Sequence, residues 1–135
     1  KLVPGPVGRA STIKMVRSVL VKGIEALTAE CFWAASKAGV VDEVAASLDA
    51  SQTDMGWKEQ AHYNAERMTT HGIRRAAEMR EVQKTLIDLG ITPDMTRGTI
   101  DRQQQFGELA ISLVDFDSFE ARFAAIEAAA EAEKS

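Results

Sequence analysis

The chain has 135 residues, 45% hydrophobic and 27% charged, with a formal net charge of −4 at pH 7. That length suits one domain with a real core, the acidic balance speaks against nucleic-acid binding, which needs a basic surface, and a single cysteine, Cys31, excludes an internal disulfide. With no secretory signal and no apolar run of membrane length, a reducing cytoplasmic setting and no membrane partner are expected.

The first residues, "KLVPGPVG", read as the end of a strand and its exit turn. Leu2 and Val3 are extended-type residues, and Pro4 and Pro6 disfavour helix before them. The chain is therefore expected to be one domain of a longer polypeptide. A long helix follows, from residue 9 or 10 to 37, with Ser11 or Thr12 as its cap. Ile13, Val16, Leu20, Ile24, Leu27, Cys31 and Ala34 keep the 3–4 spacing of one apolar stripe. Val19, Phe32 and Trp33 widen that surface, which places this helix at the centre of the fold and Cys31 in its interior. Gly39 stops it. Gly23 inside it costs about 1 kcal/mol relative to alanine, and close approach of another helix would compensate.

A short helix, "VDEVAASLDAS", is expected next, capped by Asp42 or the residue before it. After the loop "QTDMG", a helix runs from about Trp57 to Leu89, with a break at Gly72. In "DLGITPDM", Gly90 ends that helix, Thr92 caps the next and Pro93 takes its first position. This fourth element is expected to reach Leu113, and a last helix covers residues 118–133. The fold class is thus all-α, about five helices around one long central helix. Low aromatic content, 6%, fits it better than a β-sandwich.

Chemistry concentrates in "PGPVGRASTIKMVRS". Gly5, Gly8 and Lys14 lie on a G-x-x-G-x-x-x-x-x-K spacing, and Arg17 and Ser18, at i+3 and i+4, share the face of Lys14. A lysine in the first or second turn meets the positive end of the helix, which disfavours an ammonium ion; burial acts the same way. Such a lysine suits general acid/base work. The alternative from spacing alone is a solvated lysine on an amphipathic helix. A second cluster, His71, Arg74 and Arg75 at i, i+3 and i+4, forms a face able to bind an anion, or a solvated face paired as Arg74–Glu78 and Arg75–Glu78. His62 reads as a surface or packing residue, and Trp33 and Trp57 as packing residues. No Cys/His/Asp cluster has metal-ligand spacing, and no G-x-G-x-x-G follows a strand.

The opening segment resembles the start of the helical C-terminal domain in the 6-phosphogluconate dehydrogenase and β-hydroxyacid dehydrogenase superfamily. There the pattern is roughly G-x-x-G-x-G-x-x-x-K-x-x-[NH]-N ahead of a long core helix. Gly5, Gly8 and Lys14 match it, and "KMV" matches the 6-phosphogluconate branch. Nearly the whole chain is similar to a less-characterised group of these dehydrogenases, through "GRASTIKMVRSVLVKGIEAL", "ERMTTHGIRRAAEMREV" and "TLIDLGITPDM".

The resemblance implies an NAD- or NADP-dependent oxidoreductase acting on a small acidic, hydroxyacid-like substrate. An N-terminal Rossmann-type domain outside this chain would bind most of the cofactor, and a homodimer would form. Lys14 takes the place of the catalytic acid/base, and Gly8 would lie on the cofactor side. Ala10 replaces the third glycine, and Ser18 stands where a substrate-binding asparagine is usual. Arg17, beside it, offers a two-pronged grip on a carboxylate or phosphate. His71, Arg74 and Arg75 would line the substrate cleft. The competing function is a free-standing helical interaction module, in which Lys14 is exposed and dispensable.

Overall fold

A computed structural model of the chain describes residues 6–134, with side chains from Gly8 onward. The expected strand end at Leu2 and Val3, and Gly5, lie outside the described residues. Five helices follow one another: α1 (Pro6–Ala38), α2 (Val41–Ser51), α3 (Trp57–Asp88), α4 (Asp94–Glu108) and α5 (Phe119–Glu133). No strand occurs among the described residues.

Two glycines set the helix ends as their positions promise. Gly39 and Gly90 have φ of +74° and +80°, the left-handed conformation that only glycine adopts without steric cost. After each, the chain reaches back to the helix it has left: Val40 N–H donates to the Ala35 carbonyl at 2.9 Å, and Ile91 N–H to the Leu86 carbonyl at 2.9 Å. These are Schellman-type closures, which satisfy carbonyls left over at a helix end.

The long central helix is α3, not α1. Helix α4 folds back along α3 as an antiparallel hairpin, and α5 crosses the N-terminal half of α3. Ala65, Leu109, Leu113 and Ile126 form the buried core cluster, packed against Phe106, Ile111, Phe123 and the small face of α5. Ser118 caps α5 by accepting from Ala121 N–H at 3.1 Å, the capping role its residue type favours. Arg122 fastens α5 to α3 by donating to the His62 carbonyl at 2.6 Å.

Where α3 and α4 cross, Gly72 does not break the helix. It permits contact. A Cβ at Gly72 would meet the Gln103 carbonyl oxygen and would stand 2.9 Å from Gly107 N; one at Gly107 would stand 2.6 Å from Ile73 N. Backbone lies against backbone, so neither position tolerates a side chain without movement. At Gly23, where such an approach was expected, nothing within the chain comes within 4 Å of the Cβ site.

Among the described residues helix α1 packs mainly on α2 and α4. Its main anchor is Glu30, 8% exposed. The carboxylate accepts from Met95 N–H and Thr96 N–H, both at 2.8 Å, and from the Thr96 hydroxyl at 2.6 Å. It thereby caps α4 from a distance. This explains why Thr92 does not cap that helix: Pro93, fully buried, holds the N-cap position, without a side-chain hydrogen bond. Other bounds differ from the sequence reading by a turn. Helix α1 begins at Pro6, so Ser11 and Thr12 lie inside it; Val40 rather than Asp42 precedes α2; and α4 stops at Glu108 because Ala110, at φ +56°, turns the chain away.

Candidate functional site

Helix α1 carries the first group of candidate residues. Lys14 is the ninth residue of the helix, in its third turn, since the helix starts at Pro6. The helix dipole acts within the first turn, so it does not reach this amine. Lys14 and Arg17 are exposed and make no hydrogen bond or ion pair among the described residues. Ser18 donates its hydroxyl to the Lys14 carbonyl at 2.9 Å, and Thr12 does the same to the carbonyl of half-buried Gly8 at 2.9 Å. Such i−4 back-bonding commits the hydroxyl proton and leaves Ser18 only acceptor capacity.

Around them the helix surface is apolar. Met15 is 69% exposed and Val19 76% exposed, and Ile13, Val16, Leu20, Ile24 and Leu27 are exposed as well. The stripe read from the sequence is therefore present, but among the described residues nothing covers its members from Ile13 to Leu27. Cys31, expected inside, is exposed on the same helix. Trp33 and Trp57, expected to pack, are also exposed.

The second group lies on α3. Arg74 faces outward and pairs with Glu78 at 3.8 Å. Arg75 turns inward instead, with no pairing to Glu78. It lines a cleft of about 270 Å³ with Tyr63, Asn64, Arg67 and Met68 of α3 and Gln103 of α4. Arg67, His71 and Arg75 follow at i, i+4 and i+8, one row of the helix. His71 is half-buried, and its imidazole is pushed toward the neutral form. Partial burial is the largest cause, followed by the positive charges of Arg67, Arg74 and Arg75; Glu66 opposes them. Arg67 was missed in the sequence although the row 67–71–75 was there to be read. What the sequence lacked was Gln103, which only the α3–α4 crossing brings to the cleft.

Among the described residues no hydrogen bond or ion pair joins the α1 group to the α3 group, and α1 packs mainly on α2 and α4 rather than on α3. His62 behaves as a packing residue: its carbonyl receives Arg122, and its Nδ1 is buried without a partner. Among the described residues no three His, Cys, Asp or Glu side chains are placed to hold a metal ion. No helix there is long and apolar enough to cross a membrane.

Residues 35–106 match the family described as "Domain of unknown function (DUF1932)", a helical domain associated with 6-phosphogluconate dehydrogenase-like proteins. A protein of Methanothermus fervidus, "Uncharacterized 28.5 kDa protein in 7S RNA 5'region", is 28% identical over 99 residues, 73% of this chain and 39% of its own length. A solved structure, the "Conserved hypothetical protein from Sinorhizobium meliloti 1021", is similar at 28% identity with a TM-score of 0.44, over 94% of this chain and 43% of that one. The chain thus spans about two fifths of the length of these relatives.

Proposed function

We propose, from the premise that this chain belongs to the DUF1932 family, that it is the helical C-terminal part of an NAD(P)-dependent oxidoreductase acting on a small hydroxyacid. The observation that carries this reading is α1. It bears Lys14, Arg17 and Ser18 on a helix whose flanking apolar side chains are left uncovered by the rest of the chain. A helix of this kind is built to be enclosed by something else. The rest of a protein about two and a half times as long, and a second copy, are the available covers.

The described residues do not fit a dinucleotide by themselves: no strand leads into a glycine-rich turn. The nicotinamide, which accepts or supplies hydride, belongs to the N-terminal domain in this reading. This chain's part is the proton and the acid. Once α1 is enclosed, the Lys14 Nζ, as the free amine, takes the proton of the substrate hydroxyl and returns it in the reverse direction. Arg17, a turn away on the same face, offers two parallel N–H donors to an acidic group. Ser18 accepts rather than donates. Gly8 would lie on the cofactor side.

The test is turnover by the complete protein, screened against hydroxyacids, sugar acids and their phosphates, with Lys14→Met. A loss of about 10²- to 10⁴-fold is expected for a missing acid/base. Near-normal turnover with the fold intact would overturn the assignment. The exposure of Lys14 in this chain favours a second reading, a helical interaction module. In that reading Lys14→Ala is silent and no member of the panel is oxidised.

A further inference from the structure

The cleft between α3 and α4 is lined mainly by hydrogen-bond donors. Asn64 Oδ1 already accepts from Gln60 Nε2 at 2.8 Å, while both N–H donors of the Asn64 amide are uncommitted. Tyr63 brings a phenol. Arg67 and Arg75 bring guanidinium groups, which can only donate. The Arg67 Nε and Gln103 Oε1 are buried without partners. Gln103 turned about its terminal torsion presents its NH₂ to the same space, and the oxygen and nitrogen of an amide are interchangeable in that sense. No carboxylate lines the cleft. The nearest, Glu66, is held by the Thr70 hydroxyl at 2.7 Å and stands 3.7 Å from Arg67, too far for a hydrogen bond.

Two cations on one helical row repel each other, and the imidazole between them is held toward neutrality. Glu66, 3.7 Å from Arg67, offsets part of that repulsion, and among the described residues no carboxylate pairs with Arg75. We propose that this cleft binds the oxyanion of a small organic acid, a carboxylate or phosphate clasped between Arg67 and Arg75 and hydrogen-bonded by Asn64 and Gln103. At about 270 Å³ it holds roughly nine groups of water size. That suits an acid of a few carbons and is too small for a dinucleotide. Arg74 is outside the cleft and takes no part. The inference stands apart from the oxidoreductase reading, in which Arg17 on α1 meets the acidic group of the substrate; among the described residues no α1 residue lines this cleft.

Calorimetric titration of the complete protein with inorganic phosphate and, separately, with glycolate tests it without any turnover. Sodium chloride at matched ionic strength serves as the blank. Saturable binding of one of the two is expected, and which one binds tells a phosphate from a carboxylate ligand. Arg67→Gln and Arg75→Gln should each weaken it at least about tenfold, the worth of one lost charge-assisted hydrogen bond, while Arg74→Gln leaves it unchanged. Gln103→Glu, which puts a negative charge in the cleft without removing an arginine, should abolish it. Binding of neither probe, or binding unaltered in Arg75→Gln and Gln103→Glu, overturns the proposal. Lys14→Met keeps phosphate or glycolate binding whether or not it loses turnover, so failure of the catalytic reading and failure of this one are read separately.

Discussion

At the scale of single residues, Glu30 shows how a buried charge can be held. Burial by itself would raise its pKa; the Thr96 hydroxyl and then the amides of Met95, Thr96 and Asp94 outweigh that and hold it below the ordinary carboxylate range. Those amides are the unsatisfied donors at the start of α4, where a negative charge is favoured. A group whose folded pKa lies below its unfolded value adds stability above the unfolded pKa, and that stability disappears as pH falls through the folded pKa. Glu30→Gln is therefore expected to cost about 1 to 3 kcal/mol near neutral pH and progressively less in acid. Urea denaturation at a series of pH values checks this; an equal loss at every pH would show that the charge plays no part. His71 shifts in the same direction for a different reason, with partial burial acting first and three arginines after it. Removing one of them by Arg67→Gln should raise the midpoint of the His71 titration followed by NMR. An unmoved midpoint would mean that the arginine charges are screened.

At the scale of elements, a glycine within a helical pattern has several meanings, and periodicity does not separate them. Gly72 read as a break and is a crossing point; Gly23 read as a crossing point and touches nothing in this chain. Gly107→Ala should push α4 off α3, because its Cβ would stand 2.6 Å from Ile73 N and 2.8 Å from Ile73 Cγ1. A cost of about 1 to 3 kcal/mol is expected for such overpacking, read as a lower midpoint in thermal unfolding; no change would show that the crossing is looser than described. The helix count, the order of elements and the stops at Gly39 and Gly90 were legible because they depend on local chemistry. The long-range cap from Glu30 was not, since it joins residues 65 and 66 positions apart. The same limit explains the candidate sites. Arg74 and Arg75 are neighbours in sequence, yet one pairs with Glu78 on the surface and the other enters the cleft, a difference made by α4. Lys14 was legible as a motif position. Its environment was not: whether Lys14 is covered depends on which helices pack together, and among the described residues it is exposed.

At the scale of the whole molecule, α1 is the element out of balance. Thirty-three residues at 1.5 Å each make a rod of about 50 Å, and only its last turns are packed. Ile13, Val16, Leu20, Ile24 and Leu27 recur along it at intervals of three or four residues and remain open to solvent. In water such a stripe is costly at roughly 25 cal/mol per Å² of apolar area, and in the complete protein it is expected to be covered. Coverage by a second copy and coverage by the remainder of the same polypeptide differ in what one charge would do. If copies pair along α1, Leu20→Asp leaves a carboxylate buried without a partner. That costs about 3 kcal/mol, or roughly a hundredfold in the dimer dissociation constant. Light scattering on the eluting protein should then show the mass fall to one chain at micromolar concentration, with helix content kept. If the N-terminal part of the same chain lies on α1 instead, the mass stays the same and the penalty appears as a lower unfolding temperature. We expect the first result, because α1 presents apolar side chains on more than one side: Met15 and Val19 lie off the main stripe and are more exposed than its members. One neighbouring domain would leave part of that circumference wet, whereas a domain and a second copy together would enclose it, and with it Lys14.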